Sequence, residues 1–185
     1  MRNARRFVNA LSLSRIFMAA VFVISFHKNL GLFYVCVGAC VAALVTDLLD
    51  GYFARRLNVA SVYGRQWDSL GDKSFYVGII IAFNAQGFLG AVVSWALIVR
   101  EVALYITRVL FVEKLPKIED IRPWTNWHGY FMYALIILGL LRMYAEITAR
   151  QFRISGLMMI AACAALVSGV GSIFSFLRLD VKPSQ

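Results

Sequence analysis

The chain has 185 residues, 61% of them hydrophobic and 16% charged, with a formal net charge of +9 and a mean hydropathy of +0.71. An ordinary soluble domain carries roughly 25% charged residues, so this composition excludes a water-covered globule. The excess of Lys and Arg lies between apolar runs, where it orients helices and attracts anionic headgroups; no nucleic-acid partner is expected.

Arg2, Arg5 and Arg6 ahead of an apolar stretch have the outline of a signal peptide, but Arg15 interrupts it and no cleavage site follows, so the segment is read as retained. A short N-terminal interfacial helix is expected to lead into the first span, Ile16 to Phe26, which continues back through Ser12 and Asn9 with Arg15 snorkelling or facing a polar cavity. Leu30 to Thr46 forms the second. The next apolar run is too long for one helix across about 30 Å of hydrocarbon, and the polar, glycine-bearing stretch Asn84 to Gly90 divides it. It is therefore read as a hairpin of two spans, Arg65 to Asn84 and Phe88 to Val112, followed by spans centred on Gly129 to Leu141 and Ile154 to Leu177. The expectation is an all-α integral membrane protein of six transmembrane helices, residues 1–185 forming one domain in the lipid bilayer. Arg2, Arg5, Arg6, Arg55, Arg56, Arg65, Lys114, Lys117, Arg122, Arg178 and Lys182 then share the face that holds both termini. The positive-inside rule makes it cytoplasmic, in the inner membrane if the source is bacterial. Lys28, Arg150 and Arg153 lie on the other face. Pro116, Pro123 and Pro183 fall outside the spans, where an unpaired carbonyl is cheaper. Cys36, Cys40 and Cys163 lie in apolar runs without the context of a zinc or redox motif and read as buried, reduced thiols.

Charge is concentrated where the second span ends and the third begins. Asp47 and Asp50 are three residues apart, about 60° around a helix, and Asp68 and Asp72 four apart, about 40°. Each pair shares a face, and a tight turn between antiparallel helices brings the pairs together. Four carboxylates near hydrocarbon repel one another unless protonated or neutralised by a cation. Oxygen donors with no nearby His or Cys point to Mg²⁺ or Mn²⁺, and so to a phosphate-bearing ligand that completes the coordination. Gly51 and Ala54 let a ligand or helix approach the backbone, and Gly64 is assigned to the turn.

The spacing Asp-x2-Asp-Gly-x2-Ala-Arg-x8-Gly-x3-Asp-x3-Asp, from Asp47 to Asp72, is similar to the signature of the CDP-alcohol phosphatidyltransferases. The stretch Asn9-Ala-Leu-Ser12-Leu-Ser-Arg15 also resembles the Asn-x-Leu-Thr-x2-Arg segment ahead of the first span in many members, with Ser12 for Thr. The resemblance implies transfer of a substituted phosphate from a CDP-linked lipid, commonly CDP-diacylglycerol, to a small alcohol with release of CMP, by a homodimer. It implies Asp47, Asp50, Asp68 and Asp72 as metal ligands, Asp72 also as the base, and Gly51, Ala54, Arg55 and Gly64, with Asn9, Ser12 and Arg15, on the nucleotide side.

Arg100 and Glu101 fall mid-span, where adjacent helix positions pair poorly. Arg100 and Arg108, about 80° apart around the helix, can face one cavity and grip an anionic acceptor; the alternative is structural pairing to another helix, or snorkelling by Arg108. This helix resembles that of the phosphatidylglycerophosphate synthases, whose acceptor is glycerol 3-phosphate. The sequence departs from them in having Ser69 for a common proline and no lysine in Asn126-Trp127-His128-Gly129-Tyr130, where His128 reads either as a donor to phosphate or hydroxyl or, beside Trp127 and Tyr130, as an interfacial anchor. Rival acceptors are inositol phosphate, inositol, serine and phosphatidylglycerol. A rival class is a divalent-cation or solute transporter, which would place its acids near mid-membrane between internal repeats.

Overall fold

The computed structural model describes residues 2–56, 62–110, 122–149 and 154–181; the side chains of 2–9, 11, 50, 51, 53–55, 62–65, 68, 108, 122–126, 128 and 175–181 lie outside the description. The described residues form six helices and no strand: α1 (Arg2–Ser25), α2 (Leu30–Arg56), α3 (Val62–Ala85), α4 (Ala91–Leu110), α5 (Arg122–Ile147) and α6 (Ile154–Val181). Leu30–Leu49, Gly129–Ile147 and Ile154–Phe174 are long and apolar enough to cross a membrane, and Ser12–Ser25 is a shorter apolar stretch. Charged residues inside α3 and α4, among them Lys73, Arg100 and Glu101, set these helices apart from those three. Large apolar side chains also point outward, among them Phe17, Val92, Trp95, Ile160 and Val167. A surface apolar inside and out suits lipid rather than water as solvent.

The expected hairpin is present, with α3 and α4 joined through Asn84 to Gly90 and Gly87 at φ +70° in the turn. Asn29 begins α2 by accepting from the N–H groups of Gly31 at 2.8 Å and Leu32 at 3.3 Å, which replaces partners missing in a first helical turn. Two expectations change. The N-terminal segment is not a separate interfacial helix, because α1 runs unbroken from Arg2, with no Pro or Gly along it. Pro123 falls outside the apolar stretch as expected, although α5 extends back to include it as its second residue, where no intrahelical N–H bond is lost. Cys36 and Cys40 are buried free thiols as expected, whereas Cys163 sits on the exposed side of α6.

The helices neighbour one another in the cyclic order α2, α1, α3, α4, α6, α5, with a slighter contact closing α5 onto α2 and another between α3 and α5 across the middle. The α1–α3 contact is close because α3 offers glycine where α1 arrives. A Cβ on Gly71 would stand 2.3 Å from the carbonyl oxygen of Ser12, and one on Gly78 would stand 3.0 Å from Cβ of Ala19. Both pairs are seven residues apart, so the two stripes run along each other for two turns. Above them an aromatic cluster fills the core, with ring centroids of Phe26 at 5.2 Å from Phe22, 5.2 Å from Phe83 and 5.3 Å from Phe88. This end of the bundle is tied by Lys28 to Glu146 at 2.8 Å, and by Arg142 to the carbonyl of Phe88 at 3.1 Å.

Gly71→Ala should therefore push α1 off α3 and cost about 1–3 kcal/mol, read as a lower thermal midpoint in detergent. Gly38→Ala, on α2 with nothing within 4 Å of its Cβ, should leave the midpoint unchanged.

Candidate active site

Helices α1, α2, α3 and α5 surround a cleft of about 250 Å³, open space included. Its polar lining is Arg15 from α1, Asp47 from α2, Asp72 and Tyr76 from α3 and Tyr133 from α5, with Ala43, Leu44 and Phe75 as apolar wall. Arg15 is 2% exposed; its Nη1 is ion-paired with Oδ1 of Asp47 at 3.1 Å and donates to Oδ1 of Asp72. One guanidinium nitrogen thus holds carboxylates from two helices, which offsets the repulsion anticipated from sequence. The carboxylates stay 37% and 32% exposed, so they can be reached from the cleft. Arg15 faces this polar cavity rather than snorkelling, because Ser12, three residues earlier on the same face, is buried where α1 meets Gly71.

A second charge cluster lies beside the first. Lys73 follows Asp72 on α3 and places its Nζ 2.7 Å from Oε2 of Glu101 on α4. Arg100 Nη1 donates to Oε1 of the same Glu101 and lies 3.8 Å from Sδ of Met132 on α5. The guanidinium of Arg100 rests on α6 at Gly169, where a Cβ would be 2.0 Å from Nε. The expectation that Arg100 and Glu101 pair poorly is corrected: both are buried away from competing water, and the long arginine side chain curls back to its neighbour. Lys73 also lies over the ring of Tyr76, 5.6 Å from its centroid, and Tyr76 meets Tyr133 edge to face at 6.1 Å.

The structure brings Arg15, Asp47 and Asp72 together, with Ser12 just behind them. Asp50, Gly51, Ala54 and Arg55 continue α2 beyond Asp47, Asp68 lies one turn before Asp72 on α3, and Asn9 lies earlier on α1; their side chains are outside the described residues. The same holds for Arg108 near the end of α4 and His128 in the second turn of α5. Gly64 belongs to the first turn of α3 and not to the connecting turn, since the helix begins at Val62. Among the described residues no three of His, Cys, Asp and Glu form a metal-holding group. Arg100 is not part of the cleft lining. Sequence reasoning missed Tyr76, which its place four residues after Asp72 puts on the same face, and Tyr133, which no local signal marks.

The model of the family described as CDP-alcohol phosphatidyltransferase matches residues 6–170. The chain belongs to this family. With its apolar helices, that makes it a membrane protein. Similar curated relatives are named CDP-diacylglycerol--glycerol-3-phosphate 3-phosphatidyltransferase. The relative from Mycoplasma pneumoniae is 30% identical over 99 residues, 54% of this chain and 43% of that protein. The one from Mycoplasma genitalium is 26% identical over 151 residues, 78% and 62%, and the one from Pseudomonas fluorescens 28% over 140 residues, 70% and 70%. The chain spans about half the length of the first two of these curated relatives. No solved structure matches it.

Arg15→Met removes the cation shared by Asp47 and Asp72. It should cost about 2 kcal/mol, between the ~0–1 of an exposed pair and the ~3–5 of a buried one, read as a lower thermal midpoint in detergent with chelator present. Arg15→Lys, which keeps the charge, should lose less.

Proposed function

We propose that this member of the family moves the phosphatidyl group of CDP-diacylglycerol to glycerol 3-phosphate, giving phosphatidylglycerophosphate and CMP. The observation that carries the reading is the meeting of Asp47 and Asp72, from the two ends of the family signature, at one cleft. The names of the relatives support glycerol 3-phosphate among the possible acceptors.

Asp72 takes the proton of the attacking hydroxyl as the new P–O bond forms on the phosphorus that bears diacylglycerol. The bond from that phosphorus to the CMP oxygen breaks, and CMP leaves with the electron pair. Asp47 and Asp72 are hard oxygen donors reachable from one cleft, a set that fits Mg²⁺ or Mn²⁺, with Asp50 and Asp68 as the further ligands. Such an ion, when bound, supplies Lewis-acid stabilisation of charge on the diphosphate. Gly51, Ala54, Arg55 and Gly64, with Asn9, Ser12 and Arg15, make the nucleotide side, which their places on α1, α2 and α3 support. Arg108 and His128 hold the acceptor phosphate, whereas Arg100, buried, bonded to Glu101 and outside the cleft lining, is left out of that role. The helices cross the bilayer six times, with termini and cleft cytoplasmic and two copies forming a homodimer; the distribution of Lys and Arg supports the orientation.

Purified protein given CDP-diacylglycerol, Mn²⁺ and glycerol 3-phosphate, inositol phosphate, inositol, serine or phosphatidylglycerol should release CMP with glycerol 3-phosphate. Chelation should stop the reaction and added Mn²⁺ restore it. Absence of CMP release with every acceptor, together with metal flux into liposomes, would move the protein into the transporter class. Asp72→Asn should lower turnover by about 10²- to 10⁴-fold while binding of the CDP-lipid persists.

A further inference from the structure

Glu101 has no exposed surface, yet it carries a charge into the middle of the bundle. Four helices meet around it: Lys73 reaches it from α3, Arg100 from its own α4, and Arg100 in turn is seated against Met132 of α5 and Gly169 of α6. The proposed transfer assigns no role to Lys73 or Glu101. Stability does not account for them, because well-packed apolar side chains commonly replace a buried ion network without loss. A charge network of this kind does something apolar packing does poorly, which is to select one rotational setting of a helix through directional bonds.

The setting selected is that of α3. Lys73 directly follows Asp72, so the bond from Lys73 to Glu101 governs the angle at which Asp72 enters the cleft toward Arg15. Tyr76, one turn further on, has its ring beneath the same Lys73 ammonium and forms part of the cleft wall against Tyr133. We infer that Glu101 is a positioning residue for the transfer: by holding Lys73 from α4 it fixes the setting of α3 from which Asp72 and Tyr76 face the cleft. The inference rests on the transferase reading above.

Glu101→Gln leaves Lys73 and Arg100 without their shared carboxylate. The double variant Lys73→Met/Glu101→Gln removes one charge of each sign, restores the net charge of the cluster and breaks the tether. Both are compared with the wild type for thermal midpoint and, per folded protein, for kcat and KM in the CMP-release assay. The double variant should regain the midpoint that Glu101→Gln loses, yet both should show kcat lower by about 10- to 100-fold, the effect of a misplacement of order 1 Å. KM for the CDP-lipid should stay within about twofold, since binding of the nucleotide does not use the tether. Glu101→Asp, which keeps the carboxylate, should recover part of kcat. A folded double variant with wild-type kcat overturns the inference, as does a change confined to KM. If Glu101→Gln does not fold, the double variant decides alone. Absence of CMP release from the wild type overturns the transferase reading and this inference together; normal wild-type turnover with unchanged variants overturns the inference alone.

Discussion

Arg15 lies almost wholly enclosed between α1, α2 and α3, and two aspartates from different helices share its guanidinium. A lone cation there would be costly to bury, and so would two facing carboxylates. Neither is tolerable without the other, which obliges α2 and α3 to present Asp47 and Asp72 to the same point on α1. The rest of the site is arranged around that obligation. Tyr76 and Tyr133 complete the wall, Ala43 and Leu44 keep the α2 side apolar, and the exposed parts of the carboxylates form the reactive mouth.

The charge cluster at Arg15 depends in turn on close packing. Arg15 reaches Asp72 because α1 and α3 approach to the point where Gly71 has no room for a Cβ beside the Ser12 carbonyl. In lipid, where apolar side chains gain little by leaving their solvent, such small-residue contacts do much of what hydrophobic burial does in water. The backbone contact thereby sets the reach of a polar group, and the polar group sets the placement of two carboxylates.

The bundle separates its tasks by end. Around Phe22, Phe26, Phe83 and Phe88, aromatic packing and the bonds of Lys28 and Arg142 close the connections α1–α2 and α3–α4 onto α5. Toward the other end stand Asp47, Asp72 and Lys73, each matched to a charge on another helix. Rigid apolar packing at one end and directional charge pairing at the other suit a site whose groups must be held to a fraction of an ångström while the cleft stays open.

The sequence by itself determined the helical class, the hairpin at Asn84 to Gly90 and the identity of the acids, because helix spans and helix faces are local properties read from spacing. Asp47 and Asp72 were legible in this way, and so was their need for a positive charge. Which charge meets them was not legible: Arg15 lies 57 residues from Asp72, and only the α1–α3 crossing joins them. Tyr133, the bond from Lys73 to Glu101 and the rest of Arg100 on Gly169 were equally hidden, since each joins residues of different helices that no spacing relates. Even the adjacent pair Arg100 and Glu101 was misjudged from helix geometry alone. Tertiary structure decided it, because enclosure by α5 and α6 removed the water that would otherwise have competed for both charges.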